Sequence, residues 1–541
     1  MARINTWMLS RPHRKLYLVP QTVAALREAI EGEPWAGNRE AHLAFEEAIE
    51  RAGIKAPGER RDRGGSGGRT HVALVTSLGL AFEHAATQRM VLTLAGEALA
   101  DGAPPAPILR KQVLEFQYPS PYSSRIGIDE GFRLRPFVFL LRLLLDGRLA
   151  GELSQEEIAL CVITEGRRND DDCHERVVAR ILDYRARGRE ALAEDFAERY
   201  GSARGRPDRV EEALSDIANT VLNWLDHTGL TLREPKVVRL ADETADEARR
   251  IVDELSRKPL IRFERGREEN FQRTYGLRPG GSRDNRRLLE ARALSREQQV
   301  ARRVQTALLG ISRERIVDAL TPALLRDVTQ ATGFPEAEVE AALSSLIPTP
   351  SDALEQFIAR YAPMAFSGRE EAIEFEIATT EIFERVFGLR ADHLGQGRIQ
   401  PDIIVSTEAY EWVGIIDTKA YRAYELPNDH MLRMRGYAEA EEARGRHADF
   451  TAYIAGGFSR TIDARLRTLQ ERTGVAAGAI GVTAWIELIR RWPQSGVGSE
   501  VLYELLSLGR EARLSDVFER VPLASDGGEK GAAHSPRAHP A

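Results

Sequence analysis

Residues 398–421 read RIQPDIIVSTEAYEWVGIIDTKAY, and this stretch decides the fold of the C-terminal part of the chain. Its two apolar runs, residues 403–405 and 412–416, are typical of buried β-strands. The segment between them, residues 406–411, is long enough to turn the chain back on itself. The sequence therefore predicts two paired strands that carry charged residues at one end.

Three charged side chains flank the predicted strands. Asp402 precedes the first strand, and Asp417 and Lys419 end the second. Side chains alternate between the two faces of a strand, so Asp417 and Lys419 point the same way and Thr418 points away from them. In a hairpin, the end that carries Asp402 lies beside the end that carries Asp417. We therefore predict a small site with two carboxylates and one ammonium group.

Two carboxylates and a lysine in one site favour metal-dependent hydrolysis of a phosphodiester. Carboxylate oxygens are suitable ligands for Mg²⁺, and a bound metal polarises the phosphate and lowers the pKa of an attacking water. The lysine can position that water or offset the charge of the transition state. We predict Asp402, Asp417 and Lys419 as catalytic residues. Glu376, on the preceding predicted helix, is a candidate for a further metal ligand beside Asp402 and Asp417.

Each of these motifs also has an ordinary alternative. A Pro-Asp turn is common, and an Asp and a Lys two residues apart on a strand can form an exposed ion pair. Lysine usage favours the catalytic interpretation, because only seven of the 75 basic residues are lysines and Lys419 is the only one in residues 351–523. Lysine differs from arginine in being a compact point charge with a tunable pKa.

Beyond this stretch, helical and strand patterns alternate. Residues 369–387 form a predicted amphipathic helix, and its apolar side chains are expected to face inward. These side chains are Ile373, Ile377, Ile382, Phe383 and Val386. We expect residues 351–523 to form an α/β domain with a central mixed sheet covered by helices. Residues 524–541, rich in Gly, Ala, Pro and His, are expected to be disordered.

The rest of the chain is mostly helical in pattern and divides at proline-rich breaks. Residues 1–235 contain short helices and few strands, with a break at residues 103–107. Short helices of this kind suit winged-helix-like modules. Residues 236–350 are charged and helix-rich, and the prolines of residues 348–350 end them. The whole chain is therefore predicted to be a multidomain α+β protein with a mostly helical N-terminal region.

Two polar segments of the N-terminal region are candidates for contact with DNA phosphates or base edges. The first is a glycine-rich loop with several arginines, for which the alternative is a solvated loop. The second is an aromatic and basic cluster at residues 117–125, for which the alternative is a packed turn around Pro119 and Pro121. The predicted DNA-binding residues are Arg60, Arg61, Arg63, Arg69, Gln117, Tyr118 and Arg125.

Composition excludes several classes of protein. The net charge of −7 argues against a histone-like polybasic binder. Two cysteines exclude a disulfide scaffold and a four-cysteine zinc site. No run of apolar residues is long enough to cross a membrane, and the first ten residues lack the pattern of a secretory signal. We therefore expect a cytoplasmic protein without a membrane partner.

The C-terminal motifs together resemble the cleavage domain of FokI and its relatives, the PD-(D/E)xK restriction endonucleases. This resemblance implies that Asp402 and Asp417 bind Mg²⁺, that the Thr418 carbonyl helps, and that Lys419 serves the attacking water. The resemblance covers residues 375–485, and the motifs that carry it occur there in order. They are RVFGLR (385–390), HLG (393–395), RIQPD (398–402), IDTKAY (416–421), LP (426–427), Met434, Tyr437, residues 450–458 and residues 466–469.

The N-terminal half resembles the AlwI family, which includes site-specific nicking enzymes. This resemblance implies that residues 1–235 are a DNA-recognition region of two winged-helix-like subdomains, followed by a helical linker region at residues 236–350. It also implies a type IIS restriction endonuclease, which cuts double-stranded DNA at a fixed distance from a short asymmetric site and has a separate cognate methyltransferase. The motifs are WAG (35–37), LEFQYPS (114–120), residues 136–144, residues 153–164 and WLDHTGL (224–230).

The chain departs from the FokI pattern in the helix that follows the catalytic lysine. In FokI this helix carries an acid–base pair that bridges two cleavage domains, and the matching positions here are Leu432 and Gly436. A transient homodimer through the cleavage domain is therefore a hypothesis, with Arg433, Arg435 and Glu439 as candidates for other bridges. The alternatives to a double-strand endonuclease are a strand-specific nicking enzyme of the same family and a non-cleaving, sequence-specific DNA-binding protein.

Overall fold

The structure is a computed structural model that describes ten segments of the chain, leaving residues 524–541 outside them. The segments are residues 3–13, 15–56, 65–201, 209–234, 236–240, 244–288, 294–368, 371–395, 400–407 and 411–523. The chain divides into two compact units, Met1–Ala359 and Arg360–Ala541. We call them the N-terminal unit and the C-terminal unit.

The N-terminal unit is predominantly helical. In chain order, its helices are α1 (Val19–Ile30), α2 (Arg39–Arg51), α3 (Ser66–Ser77), α4 (Leu94–Ala100), α5 (Pro105–Leu114), α6 (Pro121–Ile126), α7 (Pro136–Leu144), α8 (Gln155–Glu157), α9 (Ile163–Glu165), α10 (Asp171–Arg187), α11 (Phe196–Tyr200), α12 (Val210–Asp226), α13 (Ala245–Arg257), α14 (Glu268–Tyr275), α15 (Arg296–Ile311), α16 (Pro322–Thr332), α17 (Glu336–Leu346) and α18 (Pro350–Met364). The division between the two units falls within α18.

Two small antiparallel sheets accompany these helices. Strands β1 (Ala81–Glu83) and β2 (Met90–Leu92) pair with each other. Strand β5 (Val237–Leu240) lies between β3 (Glu152–Ser154) and β4 (Thr231–Glu234). The described part of this unit therefore has many helices and few strands, as the sequence predicts.

Local sequence explains several helix starts in this unit. Ser120, Ser154 and Ser295 cap α6, α8 and α15, and each takes part in a reciprocal capping box. The unit packs around a large apolar core that includes the fully buried side chains of Trp7 and Trp224. Burial of such large side chains is the main source of stabilisation in a domain of this size.

The C-terminal unit combines helices with one six-stranded sheet. Its elements after α18 are α19 (Ala372–Arg385), β6 (Arg390–His393), β7 (Ile403–Ser406), β8 (Val413–Lys419), α20 (Asn428–Ala443), β9 (Phe450–Ala455), α21 (Ile462–Thr473), β10 (Ala476–Gly481), α22 (Val482–Ser495), α23 (Ser499–Leu506), β11 (Glu511–Ala512) and α24 (Leu514–Arg520). Helices α19, α21, α22 and α23 contact strands of the sheet.

The sheet is mixed, with the strand order β11-β10-β9-β8-β7-β6. Strands β8 to β11 run parallel, whereas β6, β7 and β8 are antiparallel neighbours. The central strands β8 and β9 are buried along almost their whole length, which is typical of strands covered on both faces. The predicted hairpin is confirmed, because Ile403 pairs with Ile416. The predicted α/β character and mixed sheet are also confirmed.

Helix α19 differs from its prediction in the face that it buries. Ile373 and Ile377 are 42% and 49% exposed, so the prediction that they face inward is wrong. The buried stripe instead contains Phe375, Thr379 and Ile382, which follow one another at spacings of four and three residues. The helix is therefore rotated about its axis relative to the expectation, and it has apolar residues on both faces.

One negative finding concerns membranes. Within the described segments, none of the helices combines the length and the hydropathy that crossing a bilayer would require.

Candidate active site

The candidate active site forms where β7 and β8 bring Asp402, Asp417 and Lys419 together. Asp402 immediately precedes β7, and the antiparallel register of the hairpin sets the start of β7 against the end of β8. The Thr418 N–H and hydroxyl both donate to Asp402 Oδ2, over 2.7 and 3.2 Å. These two hydrogen bonds fix the Asp402 carboxylate against the end of β8.

The lysine lies between the two carboxylates. Lys419 Nζ is 2.8 Å from Asp417 Oδ2 and 3.6 Å from Asp402 Oδ2. It also donates to the Thr418 carbonyl oxygen over 2.9 Å. Burial lowers the pKa of Lys419, but the charges of Asp417 and Asp402 outweigh burial and raise it above its ordinary value. The ammonium group is therefore charged at neutral pH.

The two carboxylates repel each other in a buried environment. Burial, and then the charge of Asp417, raises the pKa of Asp402 to about 7. Asp417 itself is almost fully buried. Crowded oxygen donors of this kind bind a divalent cation well, because the cation removes the repulsion and replaces the lost hydration. The residues present therefore fit the Mg²⁺ predicted from the sequence.

Glu376 lies on α19 and faces the same site. Burial, and then the charge of Asp402, raises the pKa of Glu376 above its ordinary value. Its Oε2 atom is 3.2 Å from His393 Nε2, on the edge strand β6. His393 occurs in one of the motifs quoted above, but the sequence analysis assigned it no chemical role. The structure shows that it holds the Glu376 side chain in place.

A tyrosine–histidine pair lies in the electrostatic field of the same carboxylates. The Tyr424 hydroxyl and His430 Nδ1 are 2.6 Å apart. Burial, and then the charge of Asp417, raises the pKa of Tyr424, whereas burial, and then the charge of Lys419, lowers the pKa of His430. Sequence reasoning did not include this pair in the site. No periodic pattern marks it, since Tyr424 lies between β8 and α20 and His430 lies in the first turn of α20.

The structure places the predicted DNA-binding residues in different environments. Arg69 on α3 and Arg125 on α6 are exposed. Helices α3 and α6 contact each other, so these two arginines belong to neighbouring elements of one unit. The remaining arginines of the glycine-rich loop, Arg60, Arg61 and Arg63, lie outside the described residues.

Gln117 and Tyr118 are packed inside the N-terminal unit. The Gln117 side chain pairs with the backbone of Ile261, accepting from its N–H over 2.8 Å and donating to its carbonyl over 2.9 Å. Tyr118 is fully buried and donates to the Met8 carbonyl over 2.7 Å. This arrangement matches the alternative of a packed turn and leaves neither side chain a surface for DNA. The expectation of DNA contact is corrected for these two residues.

A second group of potential metal ligands lies far along the chain, in the N-terminal unit. Ligand atoms of Asp146, His174 and Glu175 lie within 4.8 Å of one another. Arg148 donates to both carboxylates, over 2.7 to 2.9 Å. An arginine therefore already supplies the positive charge, and we interpret this group as an ion-pair cluster that does not take part in the proposed chemistry.

The comparison with family models matches one part of the chain. Residues 333–513 match the model described as "FokI, cleavage domain", which is 181 of the 541 residues. The matched segment includes Glu376, Asp402, Asp417 and Lys419. Among curated proteins, no match was found.

Three solved structures are similar to the chain at 15% sequence identity. The structure of restriction endonuclease FokI covers 95% of this chain and 100% of its own, with a TM-score of 0.28. The match to the structure of FokI bound to DNA covers 90% of this chain and 89% of the FokI chain, also with a TM-score of 0.28. The third structure is the BpuJ1 endonuclease binding domain in complex with pyrene- and phenanthrene-modified DNA. The match covers 51% of this chain and 97% of the BpuJ1 chain, with a TM-score of 0.37.

Proposed function

We propose that this chain is a type IIS restriction endonuclease, which hydrolyses phosphodiester bonds of double-stranded DNA at a fixed distance from a short asymmetric site. The observation that carries the proposal is the meeting of Asp402, Asp417 and Lys419 at the end of β8. The match of residues 333–513 to the FokI cleavage domain supports a nuclease, and specifically a restriction endonuclease. The AlwI-family resemblance of the N-terminal half stays a prediction.

In this proposal each residue of the site has a defined task. Asp402 and Asp417, with the Thr418 carbonyl and Glu376, would hold Mg²⁺, which would polarise the phosphate and activate a water. His393 keeps Glu376 oriented through the 3.2 Å contact between the two side chains. Lys419 donates hydrogen bonds to the attacking water and offsets the negative charge that develops on the phosphate. In the metal-free site, the charges of Asp417 and Asp402 raise the pKa of Lys419 above its ordinary value.

The remaining parts of the proposal concern domains and partners. Residues 351–523 are the cleavage domain, residues 1–235 are a recognition region of two winged-helix-like subdomains, and residues 236–350 connect them. Arg69 and Arg125 are proposed to contact DNA because both are exposed. A transient homodimer on DNA, a separate cognate methyltransferase and a cytoplasmic location belong to the same proposal.

The test is digestion of a sequenced supercoiled plasmid with Mg²⁺, followed by run-off sequencing of both strands. We expect linear product with cuts at a constant offset from a shared motif, and no cutting by Asp417→Ala. Open circles without linear product would show the nicking enzyme instead. A gel shift without any cutting by the wild-type protein would contradict the proposal and favour a non-cleaving DNA-binding protein.

A further inference from the structure

The N-terminal unit presents a group of arginines from four separate segments of the chain. These segments are joined by backbone hydrogen bonds and ion pairs. The Ile4 N–H donates to Gly127 O and the Asp129 N–H donates to Ile4 O, both over 2.9 Å, and the Arg133 N–H donates to Arg167 O over 2.7 Å. We call the group the arginine surface, and its members are the exposed residues Arg3, Arg133, Arg168 and Arg265.

Arg133 and Arg168 occupy partner positions on two paired segments that run parallel. Phe132 and Leu134, on either side of Arg133, are fully buried, so the Arg133 side chain points outward by strand alternation. Both arginines are exposed. Like charges at partner positions destabilise a pair of strands, and an anion bound between them would remove this cost.

The acidic residues near the arginine surface neutralise only part of its charge. Glu130 Oε1 lies 3.5 Å from Arg3 Nη2 and 3.2 Å from Arg265 Nη2, so one carboxylate serves two arginines. Asp170 pairs with Arg168. The Asp129 side chain accepts from the Gly131 N–H, and Asp171 pairs with Arg142. Arg133 has no ion-pair partner within the described segments. The charge of this exposed arginine is therefore not neutralised by any carboxylate that the structure describes.

Arg167 precedes Arg168 and points to the opposite, inner side of this segment. Its guanidinium lies 4.8 Å from the centre of the buried Phe132 ring and donates to the Asn5 side chain. These contacts tie the segment that carries Arg168 to the segments that carry Asn5 and Phe132. Arg168 is therefore held on the outer side, next to Arg133.

We propose that the arginine surface binds the phosphate backbone of duplex DNA. The choice of DNA rests on the proposed function, because the C-terminal unit has a site suited to phosphodiesters. Arginines engage phosphates through two parallel hydrogen bonds, and such contacts position a protein on the duplex without selecting a base sequence. Nothing in the motifs quoted above pointed to Arg133 or Arg168, because their meeting depends on the tertiary pairing of distant segments.

The test measures DNA binding without cleavage. The full chain carrying Asp417→Ala is titrated, in EDTA, into a fluorescently labelled plasmid-derived duplex of about 40 base pairs, over roughly 50–200 mM salt. We compare this background with the same chain carrying Arg133→Ala and Arg168→Ala. Each phosphate contact contributes about 0.9 to the slope of log K against log salt, so the double substitution is expected to reduce the slope by about 1.8.

Two matched variants complete the experiment. Arg249→Ala removes an arginine on α13 that is as exposed as Arg168 and is likewise paired with an aspartate, and it should leave the slope unchanged. Arg133→Lys with Arg168→Lys keeps both charges and should keep most of the slope. An unchanged slope in the double alanine variant would overturn the inference, and so would a background protein that does not bind the duplex. Plasmid cutting by the wild-type protein tests the proposed function independently of either result.

Discussion

At the scale of single residues, the site balances repulsion between two carboxylates against one ammonium group. Asp417 is buried, Asp402 is half-buried, and Lys419 contacts both. Without a metal, such an arrangement lowers the free energy of unfolding, because the two carboxylates repel each other. A bound metal would remove this repulsion and make the site functional.

Asp402→Asn is expected to abolish cleavage and yet to stabilise the metal-free protein. A carboxylate whose folded pKa is about 7 is unfavourable in the folded state above that pH. The cost develops as pH rises from about 4 to about 7, because the unfolded carboxylate ionises first. We expect the free energy of unfolding of Asp402→Asn to exceed that of the wild type by on the order of 1 kcal/mol at pH 8, and by less towards pH 4. Thermal unfolding of both proteins in EDTA at pH 8 and pH 4 measures this difference.

The control for this prediction is Asp392→Asn on β6, where the side chain is exposed. It should change stability little at either pH. Equal unfolding temperatures for wild type and Asp402→Asn at pH 8 would show that Asp402 is not crowded.

Lys419→Arg is expected to reduce the single-turnover cleavage rate by about 100-fold or more, in line with the loss of a positioned hydrogen-bond donor. The lysine ammonium contacts two carboxylates and a carbonyl in a small buried site, and a planar guanidinium cannot reproduce these contacts. Duplex binding should be unaffected. Lys258→Arg, at an exposed ion pair in the N-terminal unit, is the matched control and should cleave normally. Normal cleavage by Lys419→Arg would show that only the charge matters.

At the scale of elements, the register of the sheet creates the site. β8 pairs antiparallel with β7 on one side and parallel with β9 on the other, so the end of β8 is held from both sides. Gly414 pairs with Phe450 on β9, and a Cβ on Gly414 would lie 2.2 Å from the Phe450 ring. The absence of a side chain at Gly414 therefore allows β8 and β9 to pack with Phe450 in place.

Gly414→Ala is expected to destabilise the C-terminal unit by about 1–3 kcal/mol, because overpacking forces the buried Phe450 ring to move. Gly436→Ala is the matched control, since Gly436 is helical and a Cβ there meets nothing within 4 Å. It should leave stability unchanged or raise it by about 0.5–1 kcal/mol. Denaturant unfolding of both variants measures the difference. Similar stabilities of the two variants would contradict the packing argument.

At the scale of the whole molecule, the hypothesis of a transient homodimer concerns the surface of α20. Leu432 on this helix is 52% exposed, and its neighbours Arg433 and Arg435 pair within the helix with Asp429 and Glu439. These exposed pairs are weak and can exchange partners at low cost. The described part of α20 therefore provides an exposed apolar residue and charges of both signs, although it lacks the acid–base pair of FokI.

If the dimer forms, the double-strand cleavage rate should rise more steeply than in proportion to protein concentration when DNA is limiting. Leu432→Glu should reduce this dependence and leave duplex binding intact, because Leu432 is exposed and lies outside the site. The measurement is the initial rate of linear-product formation across about a hundredfold range of enzyme concentration, with Leu432→Ala as the milder comparison. Strict proportionality in the wild type would exclude the dimer.

The hairpin, the three charged residues at its end and the chemistry they suit follow from the amino-acid sequence alone. These features are local, because alternation along a strand and the closeness of hairpin ends follow from short-range backbone geometry. The oxygen-rich donor set follows from residue types alone. The prediction of Glu376 needed one further step, its placement on the preceding helix.

Other features depend on contacts between distant parts of the chain. Gln117 and Tyr118 are buried, Ile373 and Ile377 are exposed, and His393 contacts Glu376, yet none of these environments can be derived from the residues nearby in sequence. The pairing of the segments that hold Arg133 and Arg168 is of the same kind. The physical reason is that burial and long-range contact depend on which other surface covers a residue. That surface comes from distant parts of the chain and is selected by the packing of the whole core.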